Sequence, residues 1–341
     1  MEHIVGIDLH SDNGYYGIIE PDGKRVFKKR LPNDLPTVLS TLEPYEETIT
    51  CIVVESTYNW YWLVDGLMDN GYDNRVQLAN PAGFKPYEGL KHGDDKTDAF
   101  FLTELKRLGI LPVGYIYPKE ERPVRDLLRR RMMLVQQKTS HILSFQSLIT
   151  RQTGTSMSSN NIKKFEEDYV KEILDEEYLI LAGETNISII RFLTKKIQLL
   201  ERAVLKRIKL KLEYEKLLTV PGIGKILGLV IMLETGDIRR RFASAGNYTS
   251  YCRCVKSKRI SNSKKKGEGN RKNGNKYLEW AYVEAANFAK RFSPEAKKYY
   301  QRKMSKTNQI VATKSLASKI SKACYFIMRD QEVFKTEKIF G

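Results

Sequence analysis

Four cysteines in 341 residues are too few for a disulfide framework, and Cys252-x-Cys254 lacks the spacing of a zinc site. Long apolar runs are missing as well. The longest, Ile226 to Leu233, is far short of the roughly 20 residues a membrane span needs. The chain enters a strand-like pattern at once, Ile4-Val5-Gly6-Ile7, without a charged leader or an apolar h-region, which argues against a signal peptide. Histidine is scarce and one-sided. His3, His10, His92 and His141 are all there are, so a Ser-His pair built wholly beyond residue 141 is excluded. What remains is a soluble intracellular chain with 41% apolar and 10% aromatic residues, enough to build sizeable cores.

Acid is what the second half has least of. The chain carries 58 Lys and Arg against 41 Asp and Glu, a net charge of +17. Residues 1–110 hold 18 acids and 11 bases, a net of −7, which leaves +24 for the rest. An acidic module followed by a strongly basic one suits an enzyme of nucleic acid, with metal-binding carboxylates and phosphate-binding cations in different parts of the chain. A solvated basic surface without a dedicated ligand is the plainer alternative.

Three strand-like runs, Ile4–Leu9, Tyr15–Glu20 and Arg25–Leu31, are separated by Ser11-Asp12-Asn13-Gly14 and Pro21-Asp22-Gly23, both of them turn sequences. Leu35–Leu42 has helical spacing, Ile49–Glu55 is a β-branched run suited to a buried strand, and Tyr61–Met68 reads as a helix. Arg75–Leu78 reads as a strand and Thr97–Leu108 as a helix stopped by Gly109. The order β-β-β-α-β-α-β-α is the ribonuclease-H-like α/β arrangement. From Pro123 to about Arg151 the chain is basic and helical, and helical segments resume over Phe165–Leu181 and Ile187–Leu218. Ile197, Leu200, Val204 and Ile208 there form a narrow stripe suited to a helical hairpin or a dimer seam. Val220-Pro221-Gly222-Ile223-Gly224-Lys225 precedes an apolar helix and presents backbone N–H groups in the manner of a helix-hairpin-helix turn. Lys256 to Lys276 holds nine Lys and Arg, one Glu and no apolar periodicity, which reads as an exposed flexible loop. Helices follow, beginning with Lys276–Arg291. These features give three domains: 1–114, a helical, coiled-coil-like linker at 115–215 with a possible oligomerising role, and a mainly helical basic domain at 216–341.

Four acids stand out. Asp8 lies in the first strand, Glu55 closes the central one, and Asp95 and Asp98 share a face at the start of the last helix of the module. Gathered in one place they would repel one another, and divalent metal would relieve that repulsion. Two Mg²⁺ ions about 4 Å apart serve phosphodiester chemistry by activating one oxygen and stabilising another. The plainer readings are a surface acid at Asp8 and helix-dipole partners at Asp95 and Asp98, with Asp94 competing for that place.

Gly6-Ile7-Asp8, Val54-Glu55-Ser56-Thr57, Asn80-Pro81 and Asp95-Lys96-Thr97-Asp98-Ala99 resemble the RuvC-like DEDD domain of bacterial insertion-sequence transposases of the IS one-ten group, which includes the IS eleven-eleven subgroup. Val220-Pro221-Gly222-Ile223-Gly224, Glu234-Thr235-Gly236-Asp237 and Gly274-Asn275-Lys276-Tyr277-Leu278 resemble its C-terminal transposase domain. The resemblance implies a recombinase that excises a circular element and inserts it at a target. It implies guidance by a non-coding bridge RNA that pairs with donor and target DNA, and a homo-oligomer, a dimer that assembles to a tetramer. It also implies Mg²⁺ (or Mn²⁺) on Asp8, Glu55, Asp95 and Asp98, and a serine that becomes covalently linked to DNA. That serine falls in a Ser-x-Gly segment in the family. Ser261 takes the first position here and Ser263 stands where glycine does, with Ser263 and Ser257 as the alternatives. A cytoplasmic, nucleoid-associated enzyme is implied, with no membrane partner.

The basic segment supplies Lys264, Lys265, Lys266, Arg271 and Lys272 as phosphate contacts near the serine. Tyr251, Tyr277 and Trp280 suit base stacking, although Tyr277 and Trp280 lie on a helix and suit a core equally. The lack of C-terminal histidine argues against a tyrosine recombinase despite 19 tyrosines. Two rival functions remain: a RuvC-like junction-resolving endonuclease that uses the same acids with water, and a non-catalytic nucleic-acid-binding protein.

Overall fold

The computed structural model describes residues 2–90, 95–207, 212–255, 258–261, 263–268 and 273–340, with backbone alone at 85, 88, 90, 95–97, 207, 258–261 and 265–268. Among the described residues no helix is long and apolar enough to cross a membrane. Residues up to Lys119 make one compact unit, and most of the chain beyond makes a second.

The first unit is a five-stranded mixed sheet in the order β3-β2-β1-β4-β5. β1 (His3–Leu9), β2 (Asn13–Ile19) and β3 (Arg25–Pro32) form the antiparallel meander; α1 (Leu35–Leu42) leads to β4 (Ile49–Glu55), and α2 (Tyr61–Leu67) to β5 (Val76–Ala79). β4 lies parallel to both β1 and β5, as βα connections require. The last element is α3 (Asp95–Arg107). The order is the one expected. β2 begins two residues earlier than the apolar pattern suggests, because Asn13 and Gly14 pair with Pro32 and Leu31.

Strand alternation divides the sheet into two faces. Val5, Ile7, Leu9, Ile52 and Val54 point to one face and pack with Val38 and Leu42 of α1 and Leu63, Val64 and Leu67 of α2. Cys51 and Val53 point to the other, against Leu102 of α3. α3 lies close on this second face: a Cβ at Gly6 would collide with the Ala99 carbonyl, so only glycine admits the helix there.

Among the described residues the second unit is mainly helical, with one two-stranded ribbon. α4 (Arg122–Thr153), α5 (Ser159–Ile162) and α6 (Glu177–Arg207) come first, then α7 (Leu212–Leu217), α8 (Lys225–Thr235), α9 (Ile238–Arg241) and α10 (Ala245–Tyr251). The ribbon of β6 (Lys258–Ser261) and β7 (Lys264–Glu268) precedes α11 (Lys276–Phe292), α12 (Pro294–Met304), α13 (Gln309–Asp330) and α14 (Thr336–Phe340). α4 and α6 run antiparallel, since Arg131 pairs with Glu201 at 2.6 Å while His141 meets Asn186 at 3.1 Å. Ile197 and Val204 are buried, so this part of the apolar stripe belongs inside the fold; Ile208 lies outside the described residues. The core of the unit centres on α8, α11 and α13, where Leu229, Ile231, Tyr282, Ala285, Leu316 and Cys324 are fully buried. All four cysteines are buried free thiols.

Two expectations are corrected. Phe165–Leu181 is not one helical segment but a short 3-10 turn, Glu167–Glu172, followed by the start of α6. Val170 and Leu174 are buried beneath α4 and α6, and their four-residue spacing imitates a helical stripe. The basic segment, read as a loop, contains an antiparallel strand pair. Backbone pairing holds such a ribbon without an apolar face, so it leaves no periodicity in the sequence.

Candidate active site

Asp8 and Glu55 sit at the same edge of the sheet and on the same face. Parallel pairing of Ile7 with Val54 sets the two acids side by side at the ends of their strands. Alternation from Gly6 and from Val53 places both on the side covered by α3. Asp8 is 4% exposed, whereas Glu55 is half-buried.

α3 runs antiparallel to β1. Its middle, at Ala99, lies on Gly6, and its last turn, at Glu104 and Arg107, approaches Gly23 in the turn after β2, which lies at the other end of the sheet. Its first turn therefore points toward the edge that carries Asp8 and Glu55. Asp98 lies in that turn, one residue before the contact with Gly6, and is half-buried. Asp95 is the first residue of the helix.

Three of the four predicted acids are thus placed toward one edge by three separate elements, with the fourth opening the same helix. Among the described residues, however, no three carboxylate, imidazole or thiol side chains are gathered closely enough to hold a metal ion. The Asp95 side chain lies outside that description.

His10 was not predicted as a site residue. It follows β1, with its Nε2 3.7 Å from Asp8 Oδ2. Its carbonyl accepts from Asn59 Nδ2 at 2.9 Å and from Asn33 Nδ2 at 3.0 Å, which fixes the backbone beside the acid. Strand alternation holds the signal that could have found it, since residues 8 and 10 fall on one face.

Ser261 is the last residue of β6 and pairs with Lys264, the first of β7. Ser263, in the turn between them, has φ of 59°, the left-handed region that glycine prefers. Lys264 is exposed. Lys265 and Lys266 lie on β7 with backbone described alone, and Ser257, Arg271 and Lys272 lie outside the described residues.

Comparison with protein families gives two matches in chain order. A DEDD transposase model of the IS110 type matches residues 5–205, and the transposase IS116/IS110/IS902 family matches residues 214–301. The chain belongs to the IS110 family of transposases. It is accordingly a DNA transposase, an enzyme of strand rearrangement. No curated protein matches it at a significant level.

In this transposase two of the C-terminal motifs, those of Glu234 and Asn275, meet at one buried carboxylate. Glu234, 2% exposed near the end of α8, binds Arg125 at 3.1 Å and Arg129 at 2.6 Å, both from α4. Asn275 Nδ2 donates to it at 2.7 Å. Burial alone would push the Glu234 carboxyl up, but the hydrogen bond from Arg129, the two guanidinium charges and the Asn275 amide outweigh it and hold the group below the ordinary range.

Asn275 also accepts from Tyr277 N and Leu278 N, capping α11, and its own N–H donates to the Tyr251 carbonyl at 2.6 Å. The chain entering and the chain leaving the β6–β7 segment are therefore tied together at Tyr251 and Asn275. The rest of the Glu234-Thr235-Gly236-Asp237 motif is used locally. Thr235 meets the buried Tyr248 hydroxyl at 2.8 Å, Gly236 has φ of 63° at the end of α8, and Asp237 caps α9.

The three candidate stacking aromatics are partly buried against the core. Arg241 lies 5.0 Å from the Tyr251 ring, and Arg129 lies 4.3 Å from that of Tyr277.

Proposed function

We propose that this transposase cuts and rejoins DNA through a covalent phosphoserine link formed by Ser261, with Asp8, Glu55, Asp95 and Asp98 as the ligands of divalent metal in a RuvC-like domain. The observation that carries the reading is the placement of Asp8 and Glu55 on one face and one edge of the sheet, with the first turn of α3 directed to the same edge. An all-carboxylate donor set suits a hard cation such as Mg²⁺ or Mn²⁺. Bound there, such an ion would lower the pKa of an oxygen nucleophile and offset phosphate charge.

The remaining chemistry belongs to the chain. The Ser261 hydroxyl attacks the phosphorus of a scissile phosphodiester and loses its proton. A P–O bond to deoxyribose breaks, and the departing oxygen leaves as a hydroxyl. The new phosphoserine ester conserves the bond, so the hydroxyl of another strand displaces Ser261 and rejoins DNA without ATP. Lys264, Lys265, Lys266, Arg271 and Lys272 neutralise phosphates around this exchange. The left-handed turn at Ser263 supports the register in which Ser261 is the nucleophile, because a family position occupied by glycine falls on a residue whose backbone favours glycine.

Guidance by a bridge RNA and assembly through a dimer to a tetramer complete the proposal. Denaturing gels with end-labelled donor and target DNA test the chemistry. The native chain forms a protein–DNA adduct that requires Mg²⁺, whereas Ser261→Ala and Asp8→Asn form none. Cleavage by Ser261→Ala without an adduct would instead establish a nuclease that uses water. Sequencing of RNA copurified with the chain and its native flanking DNA tests the guide, with a single structured species expected.

A further inference from the structure

The second unit contains a groove of about 970 Å³, lined among the described residues by α4, α5, α6, the turn at Gly222-Ile223-Gly224, the start of α8 and α11. One wall is α11. Trp280, Glu284, Phe288 and Phe292 follow at steps of four residues, so they form a row along one helix face, each step rising about 6 Å. Phe292 is 75% exposed and Phe288 39%, with their rings nearly parallel, 10° apart. Solvent-facing phenylalanines on a helix whose other face is fully buried are not needed by the core.

The facing surfaces bring cations. Arg131 and Lys138 come from α4, Lys163 follows α5, and Lys225 opens α8 after the Gly222-Ile223-Gly224 turn. Arg131 is engaged by Glu201, but among the described residues no carboxylate lies within ion-pair distance of Lys138, Lys163 or Lys225. Lys138 is half-buried, and its ammonium is held below its ordinary pKa by burial and then by the charges of Lys163 and Arg131, which outweigh the attraction of Glu201. Lys138 and Lys163 repel one another in this groove, and an anion entering it removes that cost. The turn is open on the same side. A Cβ at Gly224 would meet nothing, whereas one at Gly222 would strike the Ala285 carbonyl on α11. Gly222 thus seats the turn on α11, and Gly224 leaves the start of α8 accessible.

Rings along one helix face, with Phe288 and Phe292 exposed, share the groove with lysines, which matches the chemistry of an unpaired polynucleotide: planar bases to stack, and one phosphate per base to neutralise. A duplex hides its base faces and gives the rings nothing to hold. We propose that this groove binds a single strand of nucleic acid, with bases against Trp280, Phe288 and Phe292 and phosphates against Lys138, Lys163 and Lys225. The site is independent of the assignments of Ser261 and of the metal ligands.

Fluorescence anisotropy of the full chain with labelled 15-mers of single-stranded DNA, single-stranded RNA and duplex DNA tests the proposal. Phe292→Ala weakens single-strand binding about tenfold and leaves duplex binding unchanged, and Phe292→Trp restores it. Lys138→Ala with Lys163→Ala lowers the single-strand salt slope by about 1.4, roughly 0.7 for each phosphate no longer neutralised. The DNA and RNA arms show which strand the groove prefers. Equal losses for single strand and duplex, or no loss for either strand, would overturn the proposal. So would a change of oligomeric state in Phe292→Ala, which would make the ring row a contact between copies. Because Phe292 is exposed, its alanine variant keeps the native melting temperature, which separates lost binding from lost folding.

Discussion

Glu234 shows how a single residue ties distant parts of one unit together. Its carboxylate is buried with two arginines and an amide, so removing its charge takes away the anion that Arg125, itself 7% exposed, and Arg129 share. Glu234→Gln should cost about 3 kcal/mol, read as a lower melting temperature, because it breaks a buried, hydrogen-bonded ion pair. The folded carboxyl titrates below its unfolded value, so its contribution is fully present above about pH 4.5 and is lost as pH falls through the lower folded pKa. Acid denaturation of the native chain and of Glu234→Gln should therefore converge at low pH. This network is not legible in the sequence. The motif residues Glu234 and Asn275 stand out, but Arg125 lies 109 positions from Glu234, and nothing local marks it among the other arginines of α4. Asp8 and Glu55 are legible, because an acid inside or closing an apolar strand interrupts a pattern that burial otherwise explains.

At the scale of elements, α3 and the β6–β7 ribbon matter most. α3 reaches the sheet because Gly6 has no side chain, so Gly6→Ala must lift the helix from β1 and with it Asp98 from the edge of Asp8. A loss of about 1–3 kcal/mol is expected in urea unfolding, together with reduced adduct formation. The ribbon makes the opposite prediction at Ser263, where φ of 59° favours glycine. Ser263→Gly should keep or raise the melting temperature, by up to about 1 kcal/mol in stability, and should keep adduct formation. Loss of the adduct there would move the nucleophile from Ser261 to Ser263. The sheet of the first unit can be read in advance because β-branched runs and Asp-Gly turns are local signals. The ribbon cannot, since pairing between Lys258–Ser261 and Lys264–Glu268 involves backbone groups that every residue carries.

For the whole molecule, membership of the IS110 transposases fixes the class of reaction, and the uneven charge, net −7 over residues 1–110 against +24 beyond, matches carboxylates in one part and phosphate-binding cations in the other. The residue to which DNA is joined tests the proposed phosphoserine chemistry most directly. Adduct trapped with donor DNA in Mg²⁺ can be digested with nuclease and protease and its peptides sequenced by mass spectrometry. The predicted result is a single nucleotide-modified peptide with the phosphate on Ser261. A modification on any other residue, or cleaved DNA with every peptide unmodified, would contradict it.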